Sequence, residues 1–259
     1  MFNNAGAVES SATGSASPSP VLVELFTSEG CSSCPPADAL LEEWDGSQPV
    51  PGARVIALSE HVDYWDHEGW KDPYSSILFT DRQREYDRRF GVNVYTPQMI
   101  IDGAAQCNGS DVRSASRALA QARDHSKIGV RISRASLEDS TTLRARVETD
   151  PLPRSSHGHK ANIYVVVALD HAESQVLGGE NKGRRINHVA VAERVNRIGC
   201  RGAIEAQACC PALCFAFGRV RTGIGWRGTR DFASRSFRER RAIRTHFKEG
   251  SGAAGSLSR

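Results

Sequence analysis

The sequence contains no apolar run that approaches the roughly 20 residues of a membrane-spanning helix, so no transmembrane segment is predicted. Residues 1–20 also lack the basic and apolar regions of a signal peptide, and they are rich in Ser, Ala, Gly and Pro. This composition is typical of a disordered leader. If Met1 is the true start, the chain is therefore predicted to remain in the cytoplasm.

The seven cysteines lack the spread of a secreted disulfide framework, in which the bridges are distributed over a much smaller domain. Because their number is odd, at least one of them lies outside any intramolecular disulfide. Only Cys31 and Cys34 have a spacing and a context that predict a role. The others, for which the sequence predicts none, are Cys107, Cys200, Cys209, Cys210 and Cys214.

The small net charge of +3 conceals a basic C-terminal part. Residues 200–259 are rich in Arg, Gly and Ser, with no sustained amphipathic face and no recognisable nucleic-acid-binding motif. We predict an irregular basic tail there, exposed to solvent, and no nucleic-acid partner. Nucleic-acid binding through this tail is the weakest functional hypothesis.

Cys31 and Cys34 lie between an apolar run at 21–27 and the pair Pro35 and Pro36. This pattern predicts a buried strand that leads into the first turn of a helix. Free backbone N–H groups and the positive end of the helix dipole favour a thiolate at such a place. We predict redox chemistry, with Cys31 nearer the helix start, more exposed and attacking, and Cys34 resolving the mixed disulfide.

Zinc binding is the sharpest alternative for this cysteine pair. A structural zinc site needs a second pair of ligands, and the nearest further cysteine cluster lies far away in the tail. Inert thiols are the third alternative. Redox exchange is favoured, and it requires neither a metal nor another cofactor.

The periodicity of the chain predicts the order β-α-β-α-β-β-α over residues 21–126. Strands are expected at 21–27, 54–59, just after Pro97 and near 104–107, with helices at about 35–44, 76–90 and 110–122. From about residue 128 the period changes to two, which indicates antiparallel strands. The predicted fold class is α/β: a thioredoxin-like domain (21–126), in which helices flank a mixed sheet, with an appended antiparallel β-rich domain (127–199).

Two further positions are candidates for roles beside the cysteines. Glu24 is an acid within an apolar strand, so it is either a buried carboxylate that moves the proton of the resolving thiol or a residue on an exposed strand face. Thr96 and Pro97, followed by Gln98, precede a short strand. In the predicted fold this loop faces the cysteines, and a cis proline there would shape a groove for the substrate chain.

Residues 61–66 are polar and aromatic and follow a predicted parallel strand. Open α/β sheets place ligand sites at that end of their strands. Since His61, Asp63, Tyr64 and Trp65 offer an imidazole, a carboxylate and aromatic faces, they are predicted to form one wall of the site. The alternative is a loop held by its own hydrogen bonds.

Several motifs together resemble the bacterial thioredoxin-like proteins catalogued as domain of unknown function 1223. They are VELFTSEGCSSCPPAD (23–38), HVDYWD (61–66), GWKDP (69–73), RQ (82–83), YTPQ (95–98) and GEN (179–181). The resemblance covers about residues 21–198 and implies a thioredoxin-like domain with a β-rich part and a periplasmic or secreted location. The absent export signal and the residues after about 199 depart from that pattern.

The sequence thus predicts a thiol–disulfide oxidoreductase that acts on a protein or a small thiol through Cys31 and Cys34. The alternative is a non-catalytic module of the same fold. Such a module would bind a metal or a peptide through these cysteines and residues 61–66. The sequence predicts no oligomeric state.

Overall fold

The chain forms one large and one small β-sheet with three helices in the part that the structure describes. This computed structural model describes residues 17–137, 142–151, 161–199, 204–209 and 240–249. The strands are β1 (Ser19–Thr27), β2 (Ala53–His61), β3 (Gln98–Ile101), β4 (Ala105–Asn108), β5 (Val130–Leu137), β6 (Thr142–Thr149), β7 (Ala161–Gln175), β8 (Arg185–Gly199), β9 (Ile204–Cys209) and β10 (Arg240–Glu249). The helices are α1 (Pro35–Ser47), α2 (Ile77–Phe90) and α3 (Val112–Arg123).

The larger sheet has seven strands in the order β10-β7-β8-β2-β1-β3-β4. Strands β1 and β2 are parallel, as predicted, with a register that runs from Ser19 opposite Ala53 to Thr27 opposite His61. Strands β3 and β4 continue the sheet in antiparallel pairs. The predicted mixed sheet and the predicted order of its first seven elements are confirmed.

Helices cover both faces of this sheet because the strands bury apolar side chains on alternate sides. Val21, Val23 and Leu25 of β1 pack in one core with α1 and α3. Leu22 packs on the opposite face in a core that contains Phe79 of α2. The predicted apolar stripe of α1 is confirmed, since its members are buried: Ala37, Leu40, Leu41 and Trp44.

The helix boundaries follow from local signals that the sequence contains. The Ser76 side chain accepts a hydrogen bond from the Leu78 amide at the start of α2, and Gly91 ends that helix with a φ of 67°. The Asp111 side chain caps α3 by accepting from the Ser114 amide. No helix of the described residues is both long enough and apolar enough to cross a membrane.

The strands predicted to form an appended antiparallel unit are divided between the two sheets. Strands β5 and β6 form a three-stranded antiparallel sheet with β9. Strands β7 and β8 instead extend the main sheet, where Val191 of β8 lies opposite Ser59 of β2 in a parallel bridge. The run from Val165 to Leu169 is buried at every position, as expected of a strand covered on both faces.

Strands β9 and β10 lie within residues 200–259, where the sequence predicts an irregular tail. Strand β10 pairs with β7 at the edge of the main sheet. Its sequence, RRAIRTHFKE, carries four Arg or Lys residues. Charged edge strands disfavour pairing with other chains. The charged residues also obscure the alternation of apolar and polar side chains from which a strand is predicted.

Candidate functional site at the start of helix α1

Cys31 and Cys34 form a disulfide in the turn between β1 and α1, with their Cα atoms 5.4 Å apart. Both cysteines are 0% exposed, whereas Ser32 and Ser33 between them are exposed. The prediction that Cys31 is the more exposed cysteine is therefore wrong for this oxidised form. The two serines therefore form the exposed surface of this turn.

The N-cap of α1 is Cys34, so the prediction that Cys31 lies nearer the helix start is also wrong. The Cys34 carbonyl accepts hydrogen bonds from the amides of Ala37 (2.8 Å) and Asp38 (3.1 Å). Two prolines follow the cap directly, as the first helical positions allow. Cys31 belongs to the preceding turn, where its amide donates to the Ser28 carbonyl.

The loop with Thr96 and Pro97 lies beside the disulfide turn, and the peptide bond between these residues is cis. The Ser33 hydroxyl lies 3.3 Å from Cys31 Sγ and donates to the Thr96 carbonyl at 3.5 Å. Gly109 closes the other side of this loop by donating its amide to the Pro97 carbonyl at 2.9 Å. A side chain at Gly109 would collide with Leu25, since an added Cβ would lie 2.8 Å from Cδ1.

Trp65 connects the disulfide turn with the same loop. Its indole Nε1 donates to Thr96 Oγ1 at 2.8 Å, and a Cβ added to Gly30 would lie 3.1 Å from the Trp65 Cβ. Gly30 thus leaves space for the Cβ and the carbonyl oxygen of Trp65 immediately before Cys31. Among the residues predicted to form a wall from 61–66, Trp65 has contacts with both sides of the site.

Asp63 and Tyr64 are held by α2. Thr80 Oγ1 donates to Asp63 Oδ1 at 2.5 Å, and the Tyr64 hydroxyl donates to Gln83 Oε1 at 3.2 Å. Burial raises the pKa of Tyr64 to about 12, so its hydroxyl keeps its proton at neutral pH. These contacts hold both side chains against α2 rather than through hydrogen bonds within the loop itself.

Gln98 lies inside the protein and is 0% exposed. Its Nε2 donates to Asp87 Oδ1 at 2.8 Å, and its Oε1 accepts from Gln83 Nε2 at 2.9 Å. Both ends of the side-chain amide are therefore occupied between β3 and α2. This position supports the loop rather than offering a group to a substrate.

Glu24 is buried, so the alternative of an exposed strand face is wrong. Its carboxylate pairs with Arg82 of α2 and accepts from the Tyr86 hydroxyl at 2.6 Å. Arg82 Nε also lies 3.1 Å from Glu60 Oε1. Because α1 packs against the face formed by Val21, Val23 and Leu25, the Glu24 carboxylate points to the opposite face of the sheet from the helix that Cys34 caps.

A cluster of buried ionisable side chains lies behind the disulfide turn instead. It comprises Glu29, Asp38, His61, Asp72 and His188, each at most 4% exposed. His61 is the last residue of β2 rather than part of a loop, and its Nδ1 lies 2.7 Å from Asp72 Oδ2. The His61 and His188 rings meet edge to face with centroids 4.6 Å apart. Within the described residues, no group of His, Cys, Asp or Glu has a geometry suited to a metal ion.

His188 occupies the centre of this cluster, between two carboxylates. Its Nε2 lies 3.4 Å from Glu29 Oε1, and its Nδ1 lies 3.7 Å from Asp38 Oδ1. Burial alone disfavours the imidazolium, but Asp38 and Glu29 outweigh that effect and raise the pKa of His188 to about 10. At these separations the attraction is that of ion pairs rather than of short hydrogen bonds.

The turn between β7 and β8 closes the site from a distant part of the chain. Asn181 is buried, and its Nδ2 donates to the carbonyls of Glu29 and Cys31, each at 2.9 Å. Glu180 Oε2 accepts from the Ser32 amide at 2.9 Å. Trp70 contacts the chain just before Cys31, since its Nε1 donates to Glu29 Oε2 at 2.8 Å.

Asn181→Ala is expected to lower the free energy of unfolding by about 1–3 kcal/mol, because two buried carbonyls would lose their donor. Lys182→Ala changes an exposed residue of the same turn and should have an effect within about 0.5 kcal/mol. Urea unfolding of both variants measures the difference. Equal stabilities would show that the Asn181 contacts do not hold the disulfide turn.

The sequence indicated the cysteine pair and the neighbouring Thr96, Pro97 and Trp65, but not the residues that enclose the pair from the β7–β8 turn and the buried cluster. Trp70, Asp72, Glu180 and Asn181 belong to motifs of the family resemblance, and that was the available signal for them. His188 had no signal, because it lies on a strand whose partner could not be predicted.

Cys107 of β4 is a half-buried free thiol, and burial raises its pKa to about 11, which disfavours a reactive thiolate. Cys200, Cys210 and Cys214 lie outside the described residues, and of Cys209 only its place in β9 is described. A groove of about 430 Å³ lies elsewhere, lined by Tyr74, Leu78, Phe79 and Arg194 among others.

These features define a class: a mixed α/β protein with a disulfide-forming CxxC pair at the start of a helix. The chain belongs to the family described as protein of unknown function (DUF1223), whose model matches residues 22–212. The predicted family is thereby confirmed. A search of curated proteins finds no match.

Two solved structures are similar to this chain. The crystal structure of protein AGR_C_4864 from Agrobacterium tumefaciens has 29% identity and a TM-score of 0.55, with 74% of this chain and 78% of that chain covered. HBP35 of Porphyromonas gingivalis has 11% identity and a TM-score of 0.49, with 74% and 65% covered.

Proposed function

We propose that this protein is a thiol–disulfide oxidoreductase with Cys31 and Cys34 as its redox pair. The observation that carries the proposal is their disulfide in the turn that starts α1, beneath two exposed serines and beside the loop of Thr96 and Pro97. The proposed catalytic unit is a thioredoxin-like domain over residues 21–126. The proposed β-rich unit over 127–199 supplies Glu180, Asn181 and His188.

Cys31 is the proposed attacking residue because its Sγ lies 3.3 Å from the Ser33 hydroxyl. On formation of a thiolate, this hydroxyl can turn its one proton from the Thr96 carbonyl to Cys31 Sγ. The thiolate attacks one sulfur of a substrate disulfide, so that a mixed disulfide forms and the first substrate thiolate leaves. Cys34 then attacks Cys31 Sγ, which restores the intramolecular disulfide and releases the second substrate thiolate. Two electrons pass from the protein to the substrate, and the reverse steps oxidise a dithiol.

The loop beside the disulfide supplies the proposed substrate surface. Thr96 and Pro97 form one side and Trp65 forms a second side, since its indole donates to Thr96 and its Cβ lies close to Gly30. Asp63, Tyr64 and Gln98 support these residues through α2. His61 does not line this surface; it lies in the buried cluster, where it pairs with Asp72 and contacts the His188 ring. Either a polypeptide or a small thiol could enter between the two sides.

The test is a titration of the purified protein in glutathione buffers of defined ratio, with the Cys31–Cys34 state read by thiol labelling. A reversible two-electron transition is expected. Cys34→Ser should accumulate a mixed disulfide at Cys31, whereas Cys31→Ser should not form one at Cys34. A pair that never exchanges in any buffer would contradict the proposal. Cys107→Ser is the control, and its titration should match that of the unchanged protein.

A further inference from the structure

We infer that Glu180 is a positioning residue that disfavours the Cys31 thiolate and thereby makes the pair an electron donor to substrate disulfides. This inference rests on the proposed function and assigns it a direction. The structural basis is the Glu180 carboxylate of the β7–β8 turn, which accepts a hydrogen bond from the Ser32 amide between the two cysteines.

The position of Glu180 follows from a contact that joins distant parts of the chain. Glu180 Oε2 accepts from the Ser32 amide at 2.9 Å, and Ser32 directly follows Cys31. Hydrogen bonding from Ser32 lowers the pKa of Glu180, so the carboxylate is charged at neutral pH. Asn181, the next residue of the turn, donates to the Glu29 and Cys31 carbonyls and so anchors the turn beside the disulfide.

A backbone amide in a turn that precedes a helix is a donor from which a thiolate would benefit. Here the Ser32 amide already points at a carboxylate. Glu180 thus removes one stabilising contact from the Cys31 thiolate and adds a like charge close to it. The Ser33 hydroxyl is a polar neighbour of Cys31 Sγ, at 3.3 Å.

The other charged groups around the turn do not reverse this effect. Glu29 follows β1, Asp38 lies on α1, and His188 of β8 lies between them. His61 of β2 is paired with Asp72 behind the ring of His188. The cluster contains three carboxylates and two imidazoles, and Glu180 adds a further negative charge at the surface.

The disulfide is neutral, whereas reduction creates thiols that can ionise. A unit charge at roughly 6 Å, with an effective dielectric constant of about 40, changes an ionisation equilibrium about tenfold. A less stable thiolate makes the reduced pair less stable, and the disulfide is then harder to reduce. The dithiol form consequently gives two electrons to a substrate disulfide, and a dithiol donor of lower potential must restore it.

The experiment compares the unchanged protein with Glu180→Gln, which keeps an acceptor for the Ser32 amide and removes only the charge. The thiolate of the reduced proteins is titrated by its ultraviolet absorbance. Glu180→Gln is expected to ionise at a pH about one unit lower. At a pH where Cys31 is ionised, its exchange equilibrium with glutathione should favour the dithiol about tenfold more, which corresponds to about 30 mV.

Glu43→Gln is the matched control, since it removes the same charge from an exposed position further along α1. Its titration and its exchange equilibrium should equal those of the unchanged protein. Exchange with the same constant in all three proteins would overturn the role of Glu180 and leave the oxidoreductase intact. A pair that exchanges in none of them would overturn the proposed function itself.

Discussion

Arg82→Ala is expected to lower the free energy of unfolding by about 3–5 kcal/mol. Arg82 is 7% exposed and pairs with the carboxylates of Glu24 and Glu60, both 0% exposed. Removing the guanidinium would take a compensating cation away from two buried carboxylates. The Tyr86 hydroxyl, which donates to Glu24, cannot supply that charge.

Arg84→Ala is the matched control on the same helix. Arg84 pairs with Asp81 at 3.0 Å, but their side chains are 48% and 63% exposed, so the loss should stay below about 1 kcal/mol. Denaturant unfolding at neutral pH measures both variants. Similar losses for Arg82 and Arg84 would show that the buried ion pairs contribute no more than a surface pair.

His188→Gln is expected to lower the free energy of unfolding by a few kcal/mol at neutral pH and to alter its pH dependence. The pKa of His188 rises from 6.5 to about 10 on folding. A group whose pKa is raised on folding stabilises the protein fully below its unfolded pKa. This contribution should therefore be complete below pH 6.5 and should be lost as the pH rises towards 10.

Unfolding curves recorded from pH 6 to pH 10 test this expectation for His188. The unchanged protein should lose stability across that interval, whereas His188→Gln should lack this component. His171→Gln is the control, because His171 lies on β7 near Asp170 but is 52% exposed. Parallel pH profiles for the unchanged protein and His188→Gln would contradict a buried imidazolium at this position.

Local patterns were sufficient to predict the first half of the fold. The apolar stripe of α1, the caps of α2 and the parallel pairing of β1 with β2 each depend on neighbouring residues or on a single crossover helix. The pairing of β8 with β2 depends on residues more than 130 positions apart, Ser59 and Val191. Such a pairing leaves no period in the sequence, so its place in the main sheet could not be predicted.

The same distinction applies to the candidate site. The cysteines were predicted because their chemistry arises from the turn and helix that follow them. Glu24 was recognised as a candidate, but the sequence does not say which sheet face α1 covers, and the carboxylate lies on the other face with Arg82. Glu180 and His188 come from the β7–β8 hairpin. They were missed as site residues because β8 was expected in an appended antiparallel unit, whereas it pairs with β2 in the main sheet.

The contact between Asn181 and the Cys31 carbonyl spans 150 residues of chain. During synthesis at roughly 5–20 residues per second, the ribosome needs about 8–30 s to make Asn181 after Cys31. Throughout that interval the cysteines exist without the segment that later encloses them. A nascent chain therefore meets the redox conditions of its compartment before its own fold can control access to the thiols.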